Sequence, residues 1–318
     1  MIRDRETMTQ EGQPKIVVIA GPTASGKSGL AVDLALSLSG EIVNADSMQV
    51  YRGMDIGTAK PTADEQKSVP HHLLDVVDPD EAFNAALYRR KALPVIADIC
   101  SRGKTCLVVG GTGLYIRALL RGLMEAPPSD PELRKELHRE WQRHGPGPLH
   151  ERLRNIDPVA AASIHPNDRT RIIRAIEVAS TSGRMFSDLT KTHGFRDLKL
   201  RALQICLHME RDLLYERINK RTQQMISMGL IEETRALLKN GYSPELKPMK
   251  AIGYRHIIRY LQGKWSLEEA IACLQRDTRR YAKRQLTWFR AEPDAIWIDP
   301  RAVDMVLDKI HRFLASAQ

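Results

Sequence analysis

Ile16-Val17-Val18-Ile19-Ala20, followed at once by Gly21-Pro22-Thr23-Ala24-Ser25-Gly26-Lys27-Ser28, is the stretch on which the fold turns. An apolar run of strand length leads into a glycine-bounded loop, and a helix-like segment follows from Gly29 to Leu38. That context makes the spacing G-x-x-x-x-G-K-[ST] a phosphate-binding loop. The two glycines let the backbone curl so that successive N–H groups point at an anion. The start of the following helix adds its positive dipole end. Lys27 can reach a phosphate oxygen, and the Ser28 hydroxyl can sit on Mg²⁺. A strand-to-helix turn that needs glycine only for its geometry is the plainer alternative. The Lys-Ser pair and both flanking elements favour a polyphosphate.

Outward from this loop, strand-like runs alternate with helical segments, as a parallel α/β sheet requires. The runs at 41–45 and 105–109 read as further strands, and 82–102 as a helix that Pro94 should kink or break. A helix starts at 114–120. From about residue 125 the texture changes. Pro127, Pro128 and Pro131 mark a boundary, and helical periodicity follows over 131–144, 149–155, 158–164 and 167–181. A strand pattern returns at 200–207, long helices at 211–228, 231–239 and 267–290, a strand at 295–298 and a helix at 303–314. The expected organisation is a polar, frayed tail at 1–14, a P-loop α/β core at 15–124 and 200–318, and a helical insertion at 125–199.

The 318 residues suffice for a full core, and their 42% hydrophobic and 27% charged content is ordinary for a globular chain. No apolar run is long enough to span a bilayer, and no signal-peptide pattern opens the chain. The four cysteines form no C-x-x-C pair, which argues for reduced thiols in a cytoplasm and against a zinc site. Charge is uneven. Residues 1–100 hold 10 Lys and Arg against 14 Asp and Glu, while the rest hold 38 against 25, giving +9 overall. That excess suits a polyanionic partner, although charge alone does not identify one.

Asp46 follows the second strand. In open α/β sheets ligands bind beyond the carboxyl ends of strands, so Asp46 should face the crevice of the phosphate loop as metal ligand or general base. A helix N-cap is the alternative. Gly110-Gly111-Thr112-Gly113 ends the third strand; its glycines can let backbone approach a ligand, or simply make a tight turn. No acidic residue ends that strand, which weakens a plain NTPase reading. Arg171 with Arg174, and Arg217 with Arg221, share helix faces and can grip phosphate, although solvated ion pairs explain them too. Arg276, Arg279, Arg280, Lys283, Arg284 and Arg290 interleave with Tyr281, Trp288 and Phe289, a pattern that suits backbone contact plus base stacking, or a packed solvated helix. A small-molecule kinase and a non-catalytic RNA-binding protein both remain open on these residues alone.

Taken together, the motifs resemble the tRNA dimethylallyltransferase family (tRNA delta(2)-isopentenylpyrophosphate transferases). The matching blocks are Gly21 to Ser28, Asp46-Ser47-Met48-Gln49-Val50-Tyr51, Met54-Asp55-Ile56-Gly57-Thr58-Ala59-Lys60-Pro61 and Pro70-His71-His72-Leu73-Leu74-Asp75. Gly110 to Tyr115, His165-Pro166-Asn167-Asp168 and Ala282-Lys283-Arg284-Gln285-Leu286-Thr287-Trp288 complete the set. The likeness spans about 15–300 in the family's order. No zinc-finger extension of the eukaryotic kind follows, which points to a bacterial form.

The resemblance implies transfer of a dimethylallyl group from dimethylallyl diphosphate to N6 of the adenosine beside the tRNA anticodon, with Mg²⁺ as cofactor and a cytoplasmic monomer as the working form. Gly21, Pro22, Thr23, Ala24, Ser25, Gly26, Lys27, Ser28, Arg217 and Arg221 would bind diphosphate, with Mg²⁺ on Ser28. Asp46 would take the amine proton, and Thr112 would contact the bridging oxygen, with Lys27 as the third catalytic group. Asp46, Ser47, Met48, Gln49 and Thr112 would meet the flipped base. Arg134, Thr170, Arg171, Ile172, Ile173, Arg174, Asp277, Thr278, Arg279, Arg280, Tyr281, Ala282, Lys283 and Arg284 would contact the anticodon stem-loop.

Overall fold

The computed structural model describes residues 13–124, 126–193 and 199–316; most of the expected N-terminal tail lies outside them. Among the described residues one sheet holds six strands, all parallel. They are β1 (Lys15–Ala20), β2 (Gly40–Asn44), β3 (His71–His72), β4 (Thr105–Gly110), β5 (Arg201–Leu207) and β6 (Ala295–Ile298). Their spatial order is β3-β2-β4-β1-β5-β6. The apolar run 16–20 is thus a central strand, paired with β4 on one side and β5 on the other. Helices cover both faces of such a sheet, so its inner strands read as unbroken Val/Ile runs without alternation.

The helices of the first half are α1 (Lys27–Ser37), α2 (Ala63–Ser68), α3 (Ala85–Ser101) and α4 (Gly113–Arg121). A helical group follows: α5 (Pro131–His144), α6 (Pro146–Ile156), α7 (Pro158–Ser163), α8 (Arg169–Ser182) and α9 (Phe186–His193). The last are α10 (Arg211–Ser227), α11 (Leu230–Lys239), α12 (Tyr254–Leu261), α13 (Leu267–Arg290) and α14 (Val303–Ala315). On one face of the sheet, Leu30, Ala31, Leu34 and Ala35 of α1 and Val306 and Ile310 of α14 pack with Val17, Ile19, Ile42, Leu107 and Ile205. Leu34 is fully buried there, which contributes about 1.5–3 kcal/mol. Of the two expected effects of Pro94, a break is absent: α3 runs through it. The proline lies on the solvent side, where water can take the carbonyl it leaves unpaired, while Ala92, Ile96 and Ile99 hold the inner face down. Among the described residues no helix is long and apolar enough to cross a membrane.

Arg121–Leu198 forms a compact unit separate from the sheet-bearing remainder. Its core is Leu137, Leu149, Leu153, Ile172, Ile173 and Ile176. Beside it lies Glu177, fully buried. Its carboxylate accepts from Ser129 Oγ (2.7 Å), the Asp130 N–H (2.9 Å), Arg134 Nη2 (2.6 Å) and Arg174 Nη1 (2.7 Å). Burial alone would raise its pKa, but the hydrogen bonds from Arg174, Ser129 and Arg134 bring it below the usual value. Replacing Glu177 with Ala removes the shared acceptor of four donors, and is expected to cost about 1–3 kcal/mol in chemical denaturation of this unit, since both arginines can still reach water. The sign of the pH effect follows from the lowered pKa. The stabilisation is complete above the ordinary glutamate range and is lost as pH falls through the depressed value.

Candidate active site

Three strand ends meet at the centre of the sheet: the loop after β1, Asp46 after β2 and Gly110-Gly111-Thr112 after β4. In the loop, Gly21 has φ +145° against the backbone of Leu207, and Gly26 has φ +93° as the N-cap of α1. Gly26 supplies no side-chain cap, so the first N–H groups of α1 stay open toward an anion. Ala24 is held at φ +64°, a left-handed conformation that costs about 1–3 kcal/mol outside glycine and gathers at ligand sites. The Ser25 hydroxyl is buried without a partner among the described residues. All three features suit a loop shaped around an anion.

Lys27 Nζ donates to the Pro22 carbonyl at 2.7 Å. Burial, then the Arg221 charge, push its pKa down to about 8, against an opposing pull from Asp46. Arg221 reaches the loop from α10, its Nη1 donating to Thr23 Oγ1 at 3.2 Å. Arg217, one turn earlier, is exposed and donates to Met209 Sδ at 3.8 Å. Asp46 turns one oxygen to the Met48 N–H at 2.8 Å and lines a cavity of about 360 Å³ with Lys27, Ser28, Arg221 and Tyr281. A second cavity of about 1000 Å³ shares Ala24, Lys27, Ser28, Arg221 and Met225 with the first. Ala24, Lys27 and Ser28 of the loop and helix start thus line both cavities.

Thr112 Oγ1 accepts the Ser47 N–H at 2.9 Å and lies 3.2 Å from Ser47 Oγ, which ties the ends of β2 and β4 together. Gln49 Nε2 donates to the carbonyls of Thr58 (3.2 Å) and Ala59 (3.0 Å), leaving its oxygen for a ligand. Gly110 and Gly111, at the end of β4, line the smaller cavity and are also closely approached by protein. A Cβ on Gly110 would strike the Ala45 backbone, and one on Gly111 the Gln285 amide.

The basic segments sort by where their side chains are committed. Arg280, Lys283 and Arg284 are exposed; Arg280 lies 3.6 Å from Asp277, and Arg284 lines the smaller cavity with Thr278 and Tyr281. Arg279 is held by Asn219 Oδ1 at 2.7 Å. Asp277 faces Arg255 (2.6 Å), His256 (3.1 Å) and Arg276 (3.3 Å). Burial would raise the Asp277 pKa, but hydrogen bonds from Arg255, His256 and Arg276 bring it to about 2. It organises cations and does not itself suit a phosphate. In the helical unit Thr170 and Arg171 are exposed, whereas Arg134 and Arg174 hold Glu177. The side chains of Ile172, Ile173 and Ala282 are buried in core.

Residues far away in sequence complete the site. Glu233 accepts the N–H groups of Asp55 (3.0 Å), Ile56 (2.7 Å) and Gly57 (3.0 Å) and the Tyr254 hydroxyl (2.7 Å). It thereby fixes the 55–57 loop, whose Gly57 lines the smaller cavity. Gln285 bonds the phosphate loop directly. Neither carries a spacing signal; only the folded chain brings them in.

The donor set suits Mg²⁺ held chiefly by phosphate oxygens. Ser28 offers a hydroxyl in both cavities, and among the described residues no group of three or more His, Cys, Asp or Glu is placed to hold a metal.

The model of a family described as IPP transferase matches residues 49–292. A tRNA dimethylallyltransferase of Geobacter metallireducens is 51% identical over 309 residues, 96% of this chain and 99% of its own length. One from Syntrophobacter fumaroxidans is 53% identical, covering 92% of this chain and 87% of the relative. Among solved structures, a full-length tRNA isopentenylpyrophosphate transferase of Bacillus halodurans superposes with a TM-score of 0.71 at 43% identity, covering 95% of this chain and 97% of the other. A eukaryotic dimethylallyltransferase acting on tRNA gives a TM-score of 0.80 at 28% identity, covering 96% of this chain and 80% of the other.

Proposed function

The chain belongs to the IPP transferase family, and we propose that it transfers a dimethylallyl group from dimethylallyl diphosphate to N6 of the adenosine beside a tRNA anticodon. One observation carries this reading. A carboxylate, a lysine, an arginine and a serine from three separate elements line one cavity beside an anion loop. The new bond joins N6 to the allylic carbon as that carbon's bond to the diphosphate oxygen breaks. The exocyclic amine is a poor nucleophile because its lone pair is delocalised, so a base that takes its proton lowers the barrier. Asp46 is that base, one oxygen held by the Met48 N–H and the other turned to the amine. The open N–H groups of the loop, Lys27 and Arg221 stabilise the charge that builds on the departing diphosphate. Mg²⁺, when bound, would be held by Ser28 and phosphate oxygens and would neutralise part of that charge. Ser47, Met48 and Gln49 line the same cavity and would read the extruded base.

The protein incubated with unmodified tRNA, Mg²⁺ and labelled dimethylallyl diphosphate is expected to yield prenylated adenosine. Consumption of ATP with no label in RNA would instead reveal a kinase. The exposed Arg280 and Arg284 contribute backbone contacts in this reading. Replacing both with Ala is expected to weaken tRNA binding for all sequences alike and to flatten the salt dependence by about 0.7–0.9 per lost contact, as read by filter binding across a salt series. An unchanged slope would remove both arginines from the RNA interface.

A further inference from the structure

Gln285 lies on α13, one turn beyond Tyr281, and is 5% exposed. Its Oε1 accepts the Thr23 N–H at 2.8 Å, and its Nε2 donates to the Gly111 carbonyl at 2.9 Å. One amide therefore spans the loop after β1 and the turn after β4. An amide is suited to this because it both accepts and donates; a carboxylate would meet the Gly111 carbonyl with another oxygen, and a thioether would serve neither. The site is shaped around it, since a Cβ on Gly111 would run into the amide nitrogen. The next link leads to the anion. Thr23, held through its N–H, presents Oγ1 to Arg221 at 3.2 Å. The same helix carries Arg280 and Arg284 on its exposed surface.

We propose that Gln285 is a positioning residue for the diphosphate site. It sets the Thr23 edge of the loop, and with it Arg221, while anchoring that edge to the helix that carries the basic run. The inference rests on the transferase reading for its substrate, but its geometry concerns any diphosphate in the loop. Losing a buried hydrogen-bond partner lets the Thr23 peptide turn and Arg221 drift, so donor binding suffers first.

The test uses Gln285→Met, which keeps length and volume without the amide, and Gly111→Ala, which pushes the amide away from the other side. Both are expected to raise the KM for dimethylallyl diphosphate and the Kd for inorganic diphosphate about tenfold, with tRNA affinity within about twofold of the parent. A residue that merely fills space would lower the folded fraction while leaving both donor constants untouched. Parent-like donor constants in Gln285→Met, or an equal loss of tRNA affinity, would overturn the proposal. Should that variant not fold, Gly111→Ala and Gln285→Glu decide the matter by the same two constants. If the parent protein transfers no dimethylallyl group, the transferase reading fails. The inorganic diphosphate titration still reports on Gln285 independently.

Discussion

Replacing Asp46 with Ala is expected to lower kcat for dimethylallyl transfer by about 10²–10³-fold, while tRNA binds within about threefold of the parent affinity. Two features of the structure support an effect of that size. The carboxylate lines the same cavity as Lys27 and Arg221, and its Oδ1 is pinned by the Met48 N–H. Its rotamer is thus chosen before any base arrives, so the proton acceptor needs no reorganisation. Asp46→Asn separates shape from basicity. The Asn oxygen can still accept from Met48, so the turn survives, but the amide cannot take a proton at neutral pH. Single-turnover rates with saturating tRNA and donor provide the measurement. An Asn variant as fast as the parent would leave Asp46 a purely structural turn residue and send the search for a base elsewhere.

Replacing Lys27 with Ala is expected to lower kcat/KM for the donor by about 10³-fold, since a charge-assisted donor is removed from the site where phosphate charge grows. The pH dependence offers a sharper signature. In the free protein, burial and Arg221 hold the Lys27 pKa near about 8. A diphosphate against the ammonium favours the charged form and raises that pKa again. The complex then holds more protons than its separated parts above pH 8, so donor affinity falls as pH climbs from there toward the ordinary lysine value. Calorimetry in two buffers of different ionisation enthalpy should register proton uptake on binding inorganic diphosphate near pH 8.5. Lys27→Ala should abolish that uptake. A variant that still takes up a proton would assign the linkage to another group.

Much of this frame is legible in local sequence, for physical reasons that differ between elements. The segments 131–144, 267–290 and 295–298 have the ends read from sequence because their punctuation is unambiguous. Asp130 caps α5 just before Pro131, and Ser266 with Glu269 forms a capping box on α13. The two-residue β3, the six-residue α2, and the eight-residue α9 and α12 have no clear signal in the sequence. Each is too short for its periodicity to stand out. α12 depends instead on burial of Tyr254, His256, Ile257 and Ile258. The site shows the same divide. The loop, Asp46 and Thr112 are legible because strand ends converge by topology. Glu233 and Gln285 act on backbone groups far back in the chain, and no spacing rule connects them. Helical spacing allows Arg174 to share a face with Arg171 or with Glu177. The burial of Glu177 settles it, and Arg174 turns inward.

The central position of β1 carries a cost in time during synthesis. Its partner β5 ends at Leu207, roughly 190 residues downstream, so at 5–20 residues per second the nascent strand waits about 10–40 s with one edge unpaired. Contacts so distant along the chain are intrinsically slow to form. Within that interval the whole of Arg121–Leu198 is made, with its own apolar centre. On the ribosome that segment can collapse first, shortening the effective tether between the two halves of the sheet and leaving the anion loop among the last places to acquire its shape.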